Sequence, residues 1–329
     1  MTTILLRCLA AFVCLSIHGS WAYTLSKEYN ASNFADEFVF ETSDPSHGFV
    51  QYVNQSSAVS NGIFQHQASV SIRPNAWLGQ SVGSLQSALG GKPNSVRLVS
   101  KDTFTHGVLV IDVLQIPEKQ CGLWSLLMTA GDNWPVNGGI KLFEQMGGAE
   151  NNVSDRISLH ANATCTMTAG AEEGQQLSTD CNDVATGNLG CAVAYSSNDL
   201  RTDIGTFLAN GGGAFALVWT SQTISVYFWR RNLIPADIAT NQPQPATWGR
   251  PAANFSGPCH IDEHFREQRI SISTSFCGDL VDQIWAQECQ PSTKSATCQA
   301  YVQSSYAMLG GGNWDFNYIK LFQEQPATQ

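Results

Sequence analysis

The residues best suited to chemistry lie in the segment 132–144, which reads DNWPVNGGIKLFE. This segment carries two carboxyl groups, Asp132 and Glu144, and a lysine, Lys141, three residues before the second of them. A carboxyl group serves as a general acid when its pKa lies near the working pH. A nearby ammonium group lowers the pKa of a carboxyl group and keeps it ionised. We therefore expect Lys141, if it pairs with Glu144, to oppose a general-acid role for that residue.

Short segments of alternating polar and apolar residues surround this stretch and predict the strands that position it. Clusters of Gly, Asn, Pro and Ser separate them, and the best helical candidate, 280–287, is brief. The strongest strand candidates are 49–53, 95–99, 107–113, 215–220, 224–229 and 270–274. Many short strands with turn residues between them predict an all-β sandwich or barrel. We expect the Gly- and Asn-rich stretches 145–155 and 170–214 to be loops.

The N-terminus has the three parts of a secretory signal peptide. Arg7 precedes an almost wholly apolar run at 8–17, and the small residues Ser20 and Ala22 then form a cleavage site. The apolar run is too short to cross a bilayer. We therefore predict that residues 1–22 are a signal peptide and that 23–329 form a single secreted domain.

The charge balance disfavours two classes of partner. The formal net charge is −10, and only 13% of the residues are charged. Nucleic acids and anionic membranes are bound by clustered Lys and Arg, so we expect neither as a partner. We expect a monomer that interacts with a neutral or cationic molecule.

The cysteines agree with export from the cell. Cys8 and Cys14 belong to the predicted signal peptide, which leaves an even set for disulfides in an oxidising compartment. This set is Cys121, Cys165, Cys181, Cys191, Cys259, Cys277, Cys289 and Cys298. Spacing leaves their pairing open, since eight cysteines allow 105 arrangements. No Cys-x-x-Cys pair is present, so we predict neither a metal site nor a cofactor.

Sequons for N-glycosylation are also consistent with the secretory route. They occur at Asn30, Asn54, Asn152, Asn162 and Asn254. We expect any glycans there to lie on surface loops.

The segment around Glu144 resembles a known enzyme motif. Cys121-Gly122-Leu123-Trp124 followed by residues 132–144 is similar to the C-G-x-W … D-W-P-N-G-G-E-x-D-x-x-E segment of basidiomycete laminarinases, members of glycoside hydrolase family 16. The resemblance runs along the mature chain, and further matching segments are 44–53, 94–97, 158–160, 276–279 and 314–323. It implies a jelly-roll β-sandwich of the concanavalin type, stapled by disulfides, with a concave glucan cleft.

The same resemblance implies a hydrolase whose catalytic residues are mostly missing. In the family the first Glu attacks the anomeric carbon, the Asp assists it, and the last Glu is the acid and then the base. The matching positions here are Gly139, Lys141 and Glu144, so only the acid/base position keeps its carboxylate. Aligning the two N-G-G strings instead places Ile140, Leu142 and Gln145 there, with no carboxylate at all. The six-residue spacing of the motif also implies a β-bulge that turns all three side chains to one face.

Aromatic residues of the cleft are partly retained. Trp124, Trp134 and His160 match substrate-binding positions of the family, whereas Met128 and Leu280 stand where the relatives carry tryptophans. Core packing is the alternative for both tryptophans. Neither interpretation is favoured, because Trp is usually only partly buried. For His160 the alternative is a structural histidine with satisfied hydrogen bonds.

Three hypotheses for function follow. In the first, the chain is a catalytically inactive relative that binds β-1,3-glucan or a related wall polysaccharide, since binding needs fewer groups than hydrolysis. In the second, it is an active endo-β-1,3(4)-glucanase or transglycosidase with substitute residues, Asp132 or Glu150 acting as the base. In the third, it is a structural or interaction protein of the cell wall.

Overall fold

The structure, a computed structural model, describes residues 22–74, 91–147, 155–169, 173–195, 211–305, 309 and 311–325. Residues 1–21 of the predicted signal peptide and Asn152 lie outside these ranges. Within these ranges, nineteen strands account for most of the regular structure. They are β1 (Ala22–Asn30), β2 (Phe38–Glu41), β3 (Gln51–Tyr52), β4 (Phe64–His66), β5 (Val70–Ile72), β6 (Asn94–Ser95), β7 (Arg97–Ser100), β8 (Gly107–Gln115), β9 (Leu123–Gly131), β10 (Gly139–Met146), β11 (Asp155–His160), β12 (Thr168–Ala169), β13 (Gln175–Ser178), β14 (Cys191–Ala194), β15 (Gly213–Trp219), β16 (Ile224–Arg230), β17 (Ala253–Ser256), β18 (Gln268–Phe276) and β19 (Trp314–Gln325).

Two large antiparallel sheets pack face to face. The first has the order β12-β17-β16-β15-β8-β19-β5-β4, with β1 also paired to β19. The second has the order β13-β14-β11-β10-β9-β18-β7-β2. The main hydrophobic core fills the space between them and includes Leu98, Ile111, Phe215 and Ile272, one from each of four strands. This arrangement confirms the predicted all-β sandwich.

Alternation along the strands gives the second sheet two different faces. On β9, Leu127 belongs to the core between the sheets, whereas its neighbours Leu126 and Met128 line a cavity on the opposite face. The nine-residue length of β9 and β18 extends that outer face across the middle of the sheet. We call this outer face of the second sheet the cleft face.

Helices are short and lie at the edges of the sandwich. The helix predicted at 280–287 is present and is the longest helix among the described residues. A second hydrophobic cluster, which contains Trp124, Leu280, Trp285 and Val302, packs this helical region onto the sheet. The helices are α1 (Phe34–Glu37), α2 (Gln55–Ser60), α3 (Ala236–Ala239), α4 (Ile261–His264), α5 (Asp279–Glu288), α6 (Gln290–Thr293) and α7 (Cys298–Ser305). No helix in the described part of the chain is both long and apolar enough to span a membrane.

All eight cysteines of the predicted mature chain form disulfides, as expected. The pairs are Cys121–Cys289, Cys165–Cys259, Cys181–Cys191 and Cys277–Cys298. Two of the bonds attach the region of α5–α7 to the residues just before β9 and just after β18. The Cys181–Cys191 bond closes the short loop 182–190 beside the second sheet.

The prediction that 170–214 is one long loop is wrong. The segment contains two strands, β13 and β14, which extend the second sheet at one edge. β13 reads Gln-Gln-Leu-Ser and is only partly buried, so its sequence has the polar character of a loop. β14 is a run of only four small residues that Cys181 and the neighbouring β11 hold in place.

Candidate functional site

A bulge in β10 brings Lys141 and Glu144 to the cleft face. The pairing register shifts between Lys141 and Glu144 against β11, and between Lys141 and Phe143 against β9. Leu142 and Phe143 consequently both point into the core between the sheets. Strict alternation would have placed side chains three residues apart on opposite faces. The bulge implied by the motif spacing is therefore present.

Three donors surround the carboxylate of Glu144. Lys141 Nζ lies 2.8 Å from Oε1, Arg156 Nε lies 2.7 Å from Oε2, and Trp124 Nε1 donates to Oε1 over 3.2 Å. The side chain is fully buried, with 0% exposure. Charge-assisted bonds of this length are the strong ones. Glu144 is thus bound to the protein itself and presents no free oxygen to the cleft.

Electrostatics keep this carboxylate ionised. Burial alone would raise the pKa of Glu144, but the charges of Arg156 and Lys141 outweigh it and hold the pKa at about 2. The pKa of Lys141 is also lowered, mainly by burial. The two cations share the single carboxylate of Glu144, and the charge of Arg156 lowers the pKa of Lys141 further. Nη2 of Arg156 has no hydrogen-bond partner among the described residues, which agrees with this excess of donors.

Trp134 fills the space beside Gly139. A Cβ atom at position 139 would lie 2.9 Å from Cη2 and 3.0 Å from Cε3 of the Trp134 indole, and it would overlap Cζ3. Real Cβ atoms essentially never approach other heavy atoms this closely. Trp134 belongs to the loop between β9 and β10 and is 40% exposed. The indole and a side chain at position 139 therefore exclude each other in this conformation.

His160 lies under Trp134 rather than in the cleft. Its ring centroid is 5.3 Å from that of Trp134, and its side chain is fully buried. Burial lowers the pKa of His160 to about 4, so the ring is neutral at ordinary pH. Nδ1 then donates to Asp183 Oδ1 over 2.6 Å, and Nε2 accepts from Ser158 Oγ over 2.9 Å. These contacts favour the structural alternative for His160.

A cavity of about 470 Å³ lies over the cleft face next to this cluster. Strands β2, β7, β18, β9 and β10 contribute to its lining, and Trp134 and Asn188 stand at its border. Trp124 and Met128 lie on its floor, and Leu280 packs in the hydrophobic cluster with Trp124. Ser271, on the same floor, has a buried hydroxyl without a partner among the described residues. A mostly apolar concavity of roughly 300–1,000 Å³ with a few polar groups is typical of a small-molecule site.

The structure brings together most of the residues singled out from the sequence. Gly139, Lys141, Glu144, Trp124, Trp134 and His160 all lie on or just below the cleft face. Asp132 lines the cavity but pairs with Arg269 at 3.3 Å, and Glu150 lies outside the described residues. Arg156 was missed. The only sequence signal for it is the alternation Arg156-x-Ser158-x-His160, which places three polar side chains on one face of β11.

Comparison with known proteins identifies the family. A model described as an XgeA-like catalytic GH16 domain matches residues 38–322. The chain belongs to glycoside hydrolase family 16. This confirms the family membership and the jelly-roll sandwich expected from the motifs.

Relatives in the family carry the names of glucanases. The chain is 33% identical over 316 residues to an endo-1,3(4)-β-glucanase of Arthroderma benhamiae, covering 94% of this chain and 66% of that protein. It is 32% identical over 307 residues to a probable endo-1,3(4)-β-glucanase of Aspergillus niger, covering 92% of this chain and 40% of that protein. The chain thus spans about two fifths to two thirds of the length of these relatives.

Solved structures of the same family superpose along nearly the whole chain. Laminarinase 16A from Phanerochaete chrysosporium, described with two β-glucans in both donor and acceptor sites, has a TM-score of 0.81 and 28% identity. An elongating family 16 β-1,3-glucosyltransferase has a TM-score of 0.77 and 28% identity. In both cases the match covers 92% of this chain and 100% of the other chain.

Proposed function

We propose that this chain is a secreted family 16 protein that binds β-1,3-glucan or a related wall polysaccharide without hydrolysing it. The observation that carries the proposal is the Trp134 indole in the space beside Gly139, where a nucleophilic side chain would project. Hydrolysis with retention needs two carboxyl groups about 5–5.5 Å apart. Here one of the two is absent and an aromatic ring stands in its place.

The remaining carboxylate is unsuited to proton transfer. A general acid must hold a proton near neutral pH, whereas the pKa of Glu144 is about 2. Its contacts with Lys141 and Arg156 also leave it without access to the cavity. The nucleophilic step therefore lacks a carboxylate at position 139, and the proton-transfer step lacks a carboxyl group that holds a proton near neutral pH.

Binding makes fewer demands than catalysis. It needs a shaped cavity, an aromatic surface and hydrogen-bonding groups, while only the reaction needs groups aimed at the transition state. The cavity supplies the Trp124 and Trp134 rings together with the unpartnered hydroxyl of Ser271. The β-glucans described in the Phanerochaete structure support this class of ligand.

An active glucanase or transglycosidase is the second candidate, because the relatives are named as glucanases and one structural neighbour as a glucosyltransferase. In the case of hydrolysis, a water molecule would attack with Asp132 or Glu150 as its base. The ion pair between Asp132 and Arg269 and the enclosed Glu144 speak against this route. A wall protein without affinity for glucan is the third candidate.

Secretion and domain organisation are part of the proposal. Four disulfides support an oxidising compartment. We infer that residues 1–22 are the signal peptide and that 23–329 act as one monomeric domain outside the cell or in the wall.

Two assays on the purified chain test the function. We expect no release of reducing ends from laminarin above that of a heat-inactivated sample, and retention on insoluble β-1,3-glucan at low salt. Turnover in the wild type would contradict the proposal, and its loss in Asp132→Asn would identify the substitute base. Asp132 is exposed, so this variant should fold. Absence of both turnover and retention would favour the wall protein.

A further inference from the structure

The cleft face is open on one side of β10 and covered on the other. On β11 and β14 the residues that share this face are Arg156, Ser158, His160, Ala192 and Ala194. All of them are at most 5% exposed. On the other side, Leu126 and Arg97 are partly exposed and Val39 at the edge is 46% exposed.

The cover includes the loop 182–190. Asp183 of this loop bonds to His160, and a Cβ atom at Gly190 would lie 3.1 Å from Cε1 of the same ring. The Cys181–Cys191 disulfide closes the loop at its base. Trp134 then stands at the boundary, between the covered side and the cavity. The loop is therefore closed covalently at its base and hydrogen-bonded to the buried ring of His160, which holds it over this side of the face.

The open side has the length of a short oligosaccharide. Its lining spans five neighbouring strands, β2, β7, β18, β9 and β10. Neighbouring strands lie about 4.8 Å apart, so the open side measures about 19 Å across the strands. A glucan that extended past Gly139 and Glu144, the positions that match catalytic residues of the family, would have to occupy the covered side as well. In the Phanerochaete laminarinase, β-glucans are described in both donor and acceptor sites.

We propose that the cleft binds β-1,3-glucan on one side only, with the end of the glucan chain placed against Trp134. This inference rests on the proposed glucan binding and adds the part of the polymer that is recognised. It predicts recognition of chain ends and short oligosaccharides rather than of the interior of a long chain.

Calorimetric titration of the full chain with linear laminari-oligosaccharides tests this proposal. We expect the affinity to rise with length and then to stay constant once the open side is filled, before laminariheptaose is reached. Cyclic laminariheptaose, which has no ends, should bind at least tenfold more weakly than the linear form. Equal binding of the cyclic and linear forms, or affinity that still rises at the heptaose, would overturn the one-sided site. No binding by any oligosaccharide would overturn the proposed function itself.

Two matched aliphatic substitutions locate the ligand. Leu126→Ala removes a partly exposed side chain from the open side, and Val184→Ala removes a side chain that is 83% exposed on the covering loop. We expect Leu126→Ala to weaken binding on the order of fivefold and Val184→Ala to leave it unchanged. A similar loss in both variants would show that the covered side takes part in binding and would refute the proposal.

Discussion

The mutual exclusion of Trp134 and a side chain at position 139 is directly measurable as a coupling energy. Gly139 is a strand residue without a left-handed backbone conformation, so alanine is compatible with its backbone. Without the indole, Gly139→Ala should stabilise the fold by roughly 0.5–1 kcal/mol, because glycine is unfavourable within a strand. With the indole present, the added methyl group overlaps Trp134, and overpacking in a core typically costs about 1–3 kcal/mol; because the indole is 40% exposed, we expect a cost of no more than about 2 kcal/mol.

The sign of the effect should therefore depend on residue 134. We expect Gly139→Ala to destabilise the wild type and to be neutral or stabilising in a Trp134→Ala background, with a coupling energy of about 2 kcal/mol. Urea unfolding of the four proteins, followed by circular dichroism with disulfides intact, measures it. Val136→Ala, at a 44% exposed residue of the same loop, is the control background in which the destabilisation should persist.

The outcome that refutes this reasoning is clear. If Gly139→Ala stabilises the wild type as much as it stabilises Trp134→Ala, the indole does not occupy the space beside Gly139. The proposed function would then lose the observation that carries it.

Further predictions concern the charged cluster and the proposed absence of hydrolysis. Glu144→Gln should lower the free energy of unfolding by about 3–5 kcal/mol, since two buried cations lose their shared partner; a loss below 1 kcal/mol in urea would contradict this. Folding moves the pKa of Glu144 from 4.5 to about 2, so its ionised form contributes about 3 kcal/mol. That contribution is complete above pH 4.5 and is lost as the pH falls through about 2, whereas Glu144→Gln should lack this acid-dependent step. The double variant Gly139→Glu with Lys141→Asp should not hydrolyse laminarin, because Arg156 still holds the pKa of Glu144 low and the Trp134 ring occupies the space beside residue 139 in its present conformation; measurable turnover would contradict this reasoning.

Much of the fold could be predicted because its signals are local. The apolar run 107–113 appears as β8 (Gly107–Gln115), and the alternation at 270–274 appears within β18 (Gln268–Phe276). β13 escaped prediction because a polar edge strand has the composition of a loop. Its place in the sheet depends on β14, not on its own residues.

The candidate site could be predicted only where its contacts are close in sequence. Lys141 and Glu144 are three residues apart, which strict alternation would place on opposite faces, and the bulge implied by the family motif is what predicted their common face. The pairing of Glu144 with Arg156 depends on the register between β10 and β11. The position of the Trp134 ring depends on the rotamer and conformation of a loop. Neither of these has a signal in a single sequence.

The residues of the site that differ from the family motif are physically linked, which bears on the proposed absence of hydrolysis. A Glu at position 139 requires the indole of Trp134 to move from its present conformation, as it must in relatives whose motif carries Trp and Glu together, and an Asp at 141 removes only one of the two cations on Glu144. Arg156 would still lie 2.7 Å from the carboxylate and hold its pKa low. An acid that must donate a proton near neutral pH needs the opposite environment. Under the proposed function, hydrolysis would thus require changes on β10 and β11 and a movement of the loop before β10, whereas glucan binding would require none of them.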